Sequence, residues 1–160
     1  MRIYLPTTVA GLAELHRSGR FAPAPLAAHA VTTALRAGWD GPVDDEELEY
    51  VVLMAAAFDS LALIAATDGE HRRVVVVADV ADSDVRVGTD ETEVDVLAEV
   101  PLSRCTAVHV DDADADGEVA AALRALPQAV AGDGSALAAV SLVALELMWF
   151  ATQEIPEILG

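Results

Sequence analysis

Lysine and asparagine are missing from these 160 residues, and cations are scarce. Nine arginines stand against 27 Asp and Glu, giving a formal net charge of −18. A chain this negative repels phosphate backbones, so binding nucleic acid would require a local basic patch. The nearest approach is Arg72-Arg73, and no nucleic-acid partner is expected. Anionic membrane surfaces are excluded on the same ground. The one cysteine, Cys105, rules out an internal disulfide and a cysteine-built zinc site. No sustained apolar core precedes Pro6, so no signal peptide is expected, and a reducing, cytoplasmic compartment is the default. The longest apolar run, Val51 to Ala66, is broken by Asp59. It falls short of the roughly 20 residues of a membrane span and reads as a buried helix. Neither a Walker A loop nor G-x-G-x-x-G occurs, and Gly132-Asp133-Gly134-Ser135 is not a G-x-S-x-G elbow.

What is present points to one folded domain over residues 1–160. Hydrophobic residues make up 54% of the chain, too many for a disordered polymer. The length suffices for a core without disulfides or metal. Heavy use of Ala, Val and Asp, with scarce Ile, fits GC-rich coding; salt adaptation is the alternative source of the acidity.

Periodicity gives the order of elements. Arg2 to Leu5 alternates and stops at Pro6, as a short strand does. Thr7 or Thr8 caps a helix through about Arg17, ended by Gly19. Residues 21–26 hold two prolines and read as a connector. His29-Ala30-Val31 reads as a short strand and Thr32 as the cap of a helical turn, without periodicity enough to decide. Asp44 to Ala66 is the strongest helix, with acidic residues in its first turn and a wide apolar face. Val74 to Val77 reads as an interior strand. An acidic loop or ragged hairpin around Gly88 follows, then strands near Val94–Ala98 and Arg104–Val110. In the latter, Thr106, Val108 and Val110 share one face, opposite Ala107 and His109. A helix over Glu118–Leu126, a loop from Pro127, a short helix near Ala136–Ala144, a strand Leu147–Phe150 and a turn at Ile155–Leu159 complete the chain. The expected fold is α+β: a mixed sheet of four to five strands, helices mainly on one face, and one long central helix.

Few residues form patterns that carry chemistry. Asp112, Asp114, Asp116 and Gly117 have the spacing of the first half of an EF-hand-type calcium loop. The twelfth position, normally a bidentate Glu, is Leu123, and a strand rather than a helix precedes. The same carboxylates serve as helix caps, the reading favoured here. His109 and Asp111 share a strand face and form a candidate His–carboxylate pair. Cys105 beside Arg104 is either a reactive thiol or a small buried residue. Thr7 and Thr8 read as caps or, with Glu146, as groups at strand ends for an enzyme. Asp59 inside an apolar helix needs a partner, with Arg36 and Arg73 the candidates. Of the adjacent aromatics Trp149 and Phe150, one is expected in the core and the other on an interaction surface.

Three blocks together resemble a family of uncharacterised small acidic proteins from high-GC actinobacteria. They are Met1-Arg2-Ile3-Tyr4-Leu5-Pro6-Thr7-Thr8; residues 30–36 with Glu46-Glu47-Leu48-Glu49-Tyr50; and Glu146-Leu147-Met148-Trp149-Phe150-Ala151 onward to Pro156. The segment from Ala107 to Asp112 is similar to the same family. The resemblance implies a cytoplasmic source and brings no assigned activity, so no catalytic residue follows from it.

No nucleophile, base and oxyanion donors cluster in the sequence. The leading expectation is a non-enzymatic domain acting through a protein partner or self-association, without a cofactor. The alternative is a metal- or small-ligand-binding domain, enzymatic or not, that uses His109 and the segment Asp111–Asp116, with calcium as the candidate ion.

Overall fold

The computed structural model describes residues 1–143 and 147–160. Strand β1 (Arg2–Thr7) leads into helix α1 (Val9–Ser18), whose first turn is closed by Thr8 Oγ1 accepting from Gly11 N–H. Two short strands follow, β2 (Arg20–Phe21) and β3 (Leu26–His29), then α2 (Thr33–Gly38), capped by Thr32. Helix α3 (Asp45–Thr67) is the longest element, and Asp44 caps it. Next come β4 (Val74–Asp79), β5 (Val85–Val87), β6 (Glu93–Val96), β7 (Val100–Pro101) and β8 (Cys105–Asp111). Helices α4 (Asp116–Val130) and α5 (Gly134–Val143), strand β9 (Leu147–Phe150) and helix α6 (Ile155–Leu159) close the chain.

The sheet is larger than expected. It has seven strands in the order β5-β6-β3-β1-β4-β8-β9, and β2 and β7 form a separate pair. It is not mixed: every pairing among the described residues is antiparallel. Parallel neighbours need a crossover, usually a helix, and none intervenes from β4 through β8. The missed strands are short and carry no readable alternation. β3 follows two prolines, and β5 has three residues. Pro127 lies inside α4, not in a loop. Its penalty of about 3 kcal/mol is offset by burial of Leu126 and Ala129 on either side of it.

Helices cover both faces, which corrects the one-sided expectation. Ile3, Leu5, Val74, Val76, Val108 and Val110 pack on Leu12 and Leu15 of α1 and Ile155 and Ile158 of α6. Tyr4, Val75, Val77 and Ala107 pack on Leu35 of α2 and on Leu48, Val52, Ala56 and Ala57 of α3. Hence the run Val74–Val77 is apolar at every position: both of its faces are buried. Leu61, farther along α3, packs on α4 and α5. By length and composition α3 could cross a membrane. Here its apolar face lies on the sheet and on α4, with Asp59 bonded to β3.

A buried polar network fastens one end of this stack. Arg73 and Asp111 are each 2% exposed and pair in a bidentate fork, Nε to Oδ2 at 2.8 Å and Nη2 to Oδ1 at 2.6 Å. The Arg73 backbone N–H also donates to Oδ2 at 2.8 Å. One residue on, Val74 N–H donates to Ser60 Oγ at 2.9 Å, and that hydroxyl donates to the Thr7 carbonyl at 2.6 Å. Arg72 donates to the carbonyls of Asp111 and Ile158. The network joins β1, α3, β4, β8 and α6.

Ser60→Ala leaves a buried N–H and a buried carbonyl without that hydroxyl, which costs about 1–3 kcal/mol. Chemical denaturation is expected to show that loss as a lower midpoint with an unchanged slope. An unchanged midpoint contradicts the assignment.

Candidate functional site

The N-terminal half of α3 stands away from the far end of the sheet and leaves a groove of about 470 Å³. Glu46, Glu49, Tyr50 and Leu53 line one wall; their spacing puts them on one helix face. Tyr4, Val77, Ala107 and His109 form the floor, and Trp149 of the edge strand forms the opposite side. Strand alternation builds this set. Tyr4 lies between Ile3 and Leu5, which face the other core, and Trp149 is in register with His109. Trp149 is 61% exposed and Tyr50 is 47% exposed. Phe150, of opposite parity, packs against the α1 face. The division between the two rings follows the expectation from sequence.

A bulge adds Thr106. Val77 pairs with Ala107 but Ala78 pairs with Cys105, so one residue of β8 is extra. Thr106 therefore lines the groove with Ala107 instead of sharing a face with Val108, as regular alternation had placed it. Cys105 turns into the α1-side core, where its S–H donates to the Pro101 carbonyl. Burial pushes its thiol up to about 11. The thiol form dominates at neutral pH, which removes the reactive-thiol reading.

The groove is acidic. Glu46 and Glu49 face one guanidinium, Arg2, which sits 3.5 Å from Glu49 and 3.5 Å from Asp79. Burial, reinforced by the charge on Glu49, pushes the Tyr4 phenol up to about 12, so it stays a hydrogen-bond donor. Burial holds His109 below its ordinary value and keeps it neutral. A second concavity of about 420 Å³ adjoins across Glu46 and Tyr50, lined also by Trp39, Asp44 and Glu47. The acids in the first turn of α3 thus also edge a surface lined by four aromatic rings, Tyr4, Trp39, Tyr50 and Trp149.

Other residues singled out from sequence lie elsewhere. Asp112, Asp114 and Asp116 are all exposed. Asp112 caps a 3₁₀ turn, accepting from Asp114 N–H at 2.9 Å, and Asp116 lies 3.3 Å from His71 Nδ1. Among the described residues, no group of three His, Cys, Asp or Glu side chains is placed to hold a metal ion. Asp111 does not pair with His109; it turns to Arg73. Thr8 is a cap and Thr7 is buried. Glu146 lies outside the described residues. Asp59 pairs with neither Arg36, which reaches Asp45, nor Arg73. Its partner is His29: Nε2 lies 2.7 Å from Asp59 Oδ2, and Nδ1 lies 2.9 Å from Thr92 Oγ1. The neutral tautomer protonated on Nε2 satisfies both contacts. A hydroxyl–imidazole–carboxylate series serves a nucleophile when the hydroxyl meets substrate. This one runs the other way, with Thr92 buried and Asp59 toward solvent.

Comparison with protein families finds one whose description is a family of unknown function (DUF6912), matching residues 1–159. The chain belongs to DUF6912. The resemblance carried by the three sequence blocks thus extends over the whole fold, groove included. Neither the curated proteins nor the solved structures yield a match.

The buried floor gives a pH signature. Folded His109 resists protonation more than the same residue in the unfolded chain, whose ordinary value is 6.5. The unfolded state therefore binds more protons as pH falls, and the neutral side chain's contribution, full above that value, is lost below it. Relative to the parent, His109→Gln is expected to lose less stability between about pH 7 and about pH 5. Parallel stability profiles contradict this.

Proposed function

We propose that the protein is a non-enzymatic binding domain whose partner is a protein bearing a basic, arginine- or lysine-containing segment. The observation that carries this is the placement of Trp149. A large ring, 61% exposed, sits on an edge strand beside Tyr50 and two glutamates. Exposed aromatics around a concave site are the residues that dominate interface energetics. A guanidinium or ammonium stacks on such rings and pairs with the carboxylates, while the stem covers apolar wall. The outer edge of β9, last in the sheet order and without a strand partner among the described residues, can take an extended segment alongside it.

The same electrostatics favour a basic partner over self-association. A second copy also carries −18 and is repelled; a basic chain is drawn in. The reading needs no metal and no cofactor.

The test must separate the groove from bulk charge. Isothermal titration of a short arginine-containing peptide, at physiological ionic strength, is expected to show saturable one-to-one binding. Trp149→Ala leaves the net charge unaltered, and it is expected to weaken that binding about tenfold, equivalent to about 1.4 kcal/mol. Equal affinity for parent and variant means that charge alone attracts the peptide, and the proposal fails.

A further inference from the structure

A further concavity, on another part of the molecule, has no share in that groove. β1 and β3 are paired at one position, Tyr4 with His29. Continuing that register places Pro6 opposite Ala27, and proline brings no N–H to a ladder. There the strands leave a cleft of about 470 Å³ between β1, β3 and the middle of α3. Leu5, Phe21, Leu26 and Leu63 give it an apolar lining, and Asp59 supplies a carboxylate. Leu63 is 39% exposed although it is a large aliphatic side chain.

Asp59 is held in place. His29, whose side chain is 6% exposed, fixes Oδ2 at 2.7 Å, and Thr92 fixes the ring from behind at 2.9 Å. The Asp59 side chain is 44% exposed, and Oδ1 has no protein donor among the described residues. A positioned acceptor at the rim of an apolar cleft of this size has the composition of a small-molecule site.

We propose that this cleft binds a small organic cation: an ammonium group on Asp59, carried by an apolar body the size of a single ring. An anion is opposed both by Asp59 and by the charge of the whole chain. A metal ion finds a single carboxylate and a histidine whose two nitrogens are already engaged. His29 acts here as a positioning residue, since it aims Asp59 and does not line the cleft. The site shares no lining residue with the Trp149 groove, so either proposal stands or falls without the other.

Isotope-labelled full-length protein, titrated with 2-phenylethylamine and with 2-phenylethanol, tests this through backbone amide shifts. The two probes share one body and differ in charge. The amine is expected to shift the amides of Ala27, Ala62 and Leu63 saturably and to bind at least about tenfold more tightly than the alcohol. That factor corresponds to one good charge-assisted contact. Asp59→Asn, which still offers His29 an acceptor, is expected to reduce the amine to the level of the alcohol. Leu63→Ala is expected to weaken both probes while keeping the preference for the amine. Trp149→Ala is expected to change neither. Equal affinity for amine and alcohol in the parent overturns the proposal. So do shifts centred on the Trp149 groove, or an amine preference that survives Asp59→Asn.

Discussion

The fork between Arg73 and Asp111 is the contact on which the rest of the structure depends. It closes the end of the sheet where β4 begins and β8 finishes. Taking two charges out of water costs several kcal/mol each, repaid only when geometry and remaining hydrogen bonds are complete. Asp111 meets that condition: both carboxylate oxygens accept from the Arg73 side chain, and Oδ2 also takes the backbone N–H. Around the pair, Ser60 ties α3 to β1 and β4, and Arg72 reaches the last turn of α6. One polar cluster therefore ties α3 to β1 and β4, and α6 to the paired ends of β4 and β8.

That registration leaves the opposite end of the α3 face open. Helix and sheet are clamped near Ser60 and packed through Val52 and Ala56 over a buried Tyr4, but toward Glu46 the helix leaves His109 half-exposed and Trp149 in solvent. The groove is thus a consequence of how α3 lies on the sheet. The bulge in β8 tunes it by turning Thr106 inward, and the edge position of β9 keeps Trp149 in solvent. Acidic residues that stabilise the start of α3 through its dipole also set the sign of the surface a partner meets. Stability and recognition draw on the same side chains there.

Much of this was legible before the fold was known. A cap at Thr7 or Thr8, the long helix with acidic residues in its first turn, the valine strand and a split between Trp149 and Phe150 follow from local periodicity and capping chemistry, while the segment around Thr32 stays undecided and Asp44 reads only as a first-turn acid. The groove was half legible. His109 and Trp149 stood out one at a time, but nothing local says that they are register partners across β8 and β9. The series Glu46, Glu49, Tyr50, Leu53 carried a readable signal, a single helix face, and Tyr4 stood out by its parity, opposite to Ile3 and Leu5 on the strand. Strands of two to four residues carry no period to read, so β2, β3, β5 and β7 were missed or left undecided, and with them the width of the sheet. The partners of Asp59 and Asp111 depend on long-range pairing. Sequence proximity favours neither His29 for the first nor Arg73 for the second.

A double-mutant cycle on unfolding free energy, using Arg73→Met, Asp111→Leu and the combined variant, tests the central claim most directly. If the buried fork registers the layers, each single change removes one side of a buried charge pair and costs about 3–5 kcal/mol. The combined change then recovers much of that loss, leaving a coupling energy of about 2 kcal/mol or more. Strictly additive costs, or single changes no worse than those at exposed pairs, would contradict it.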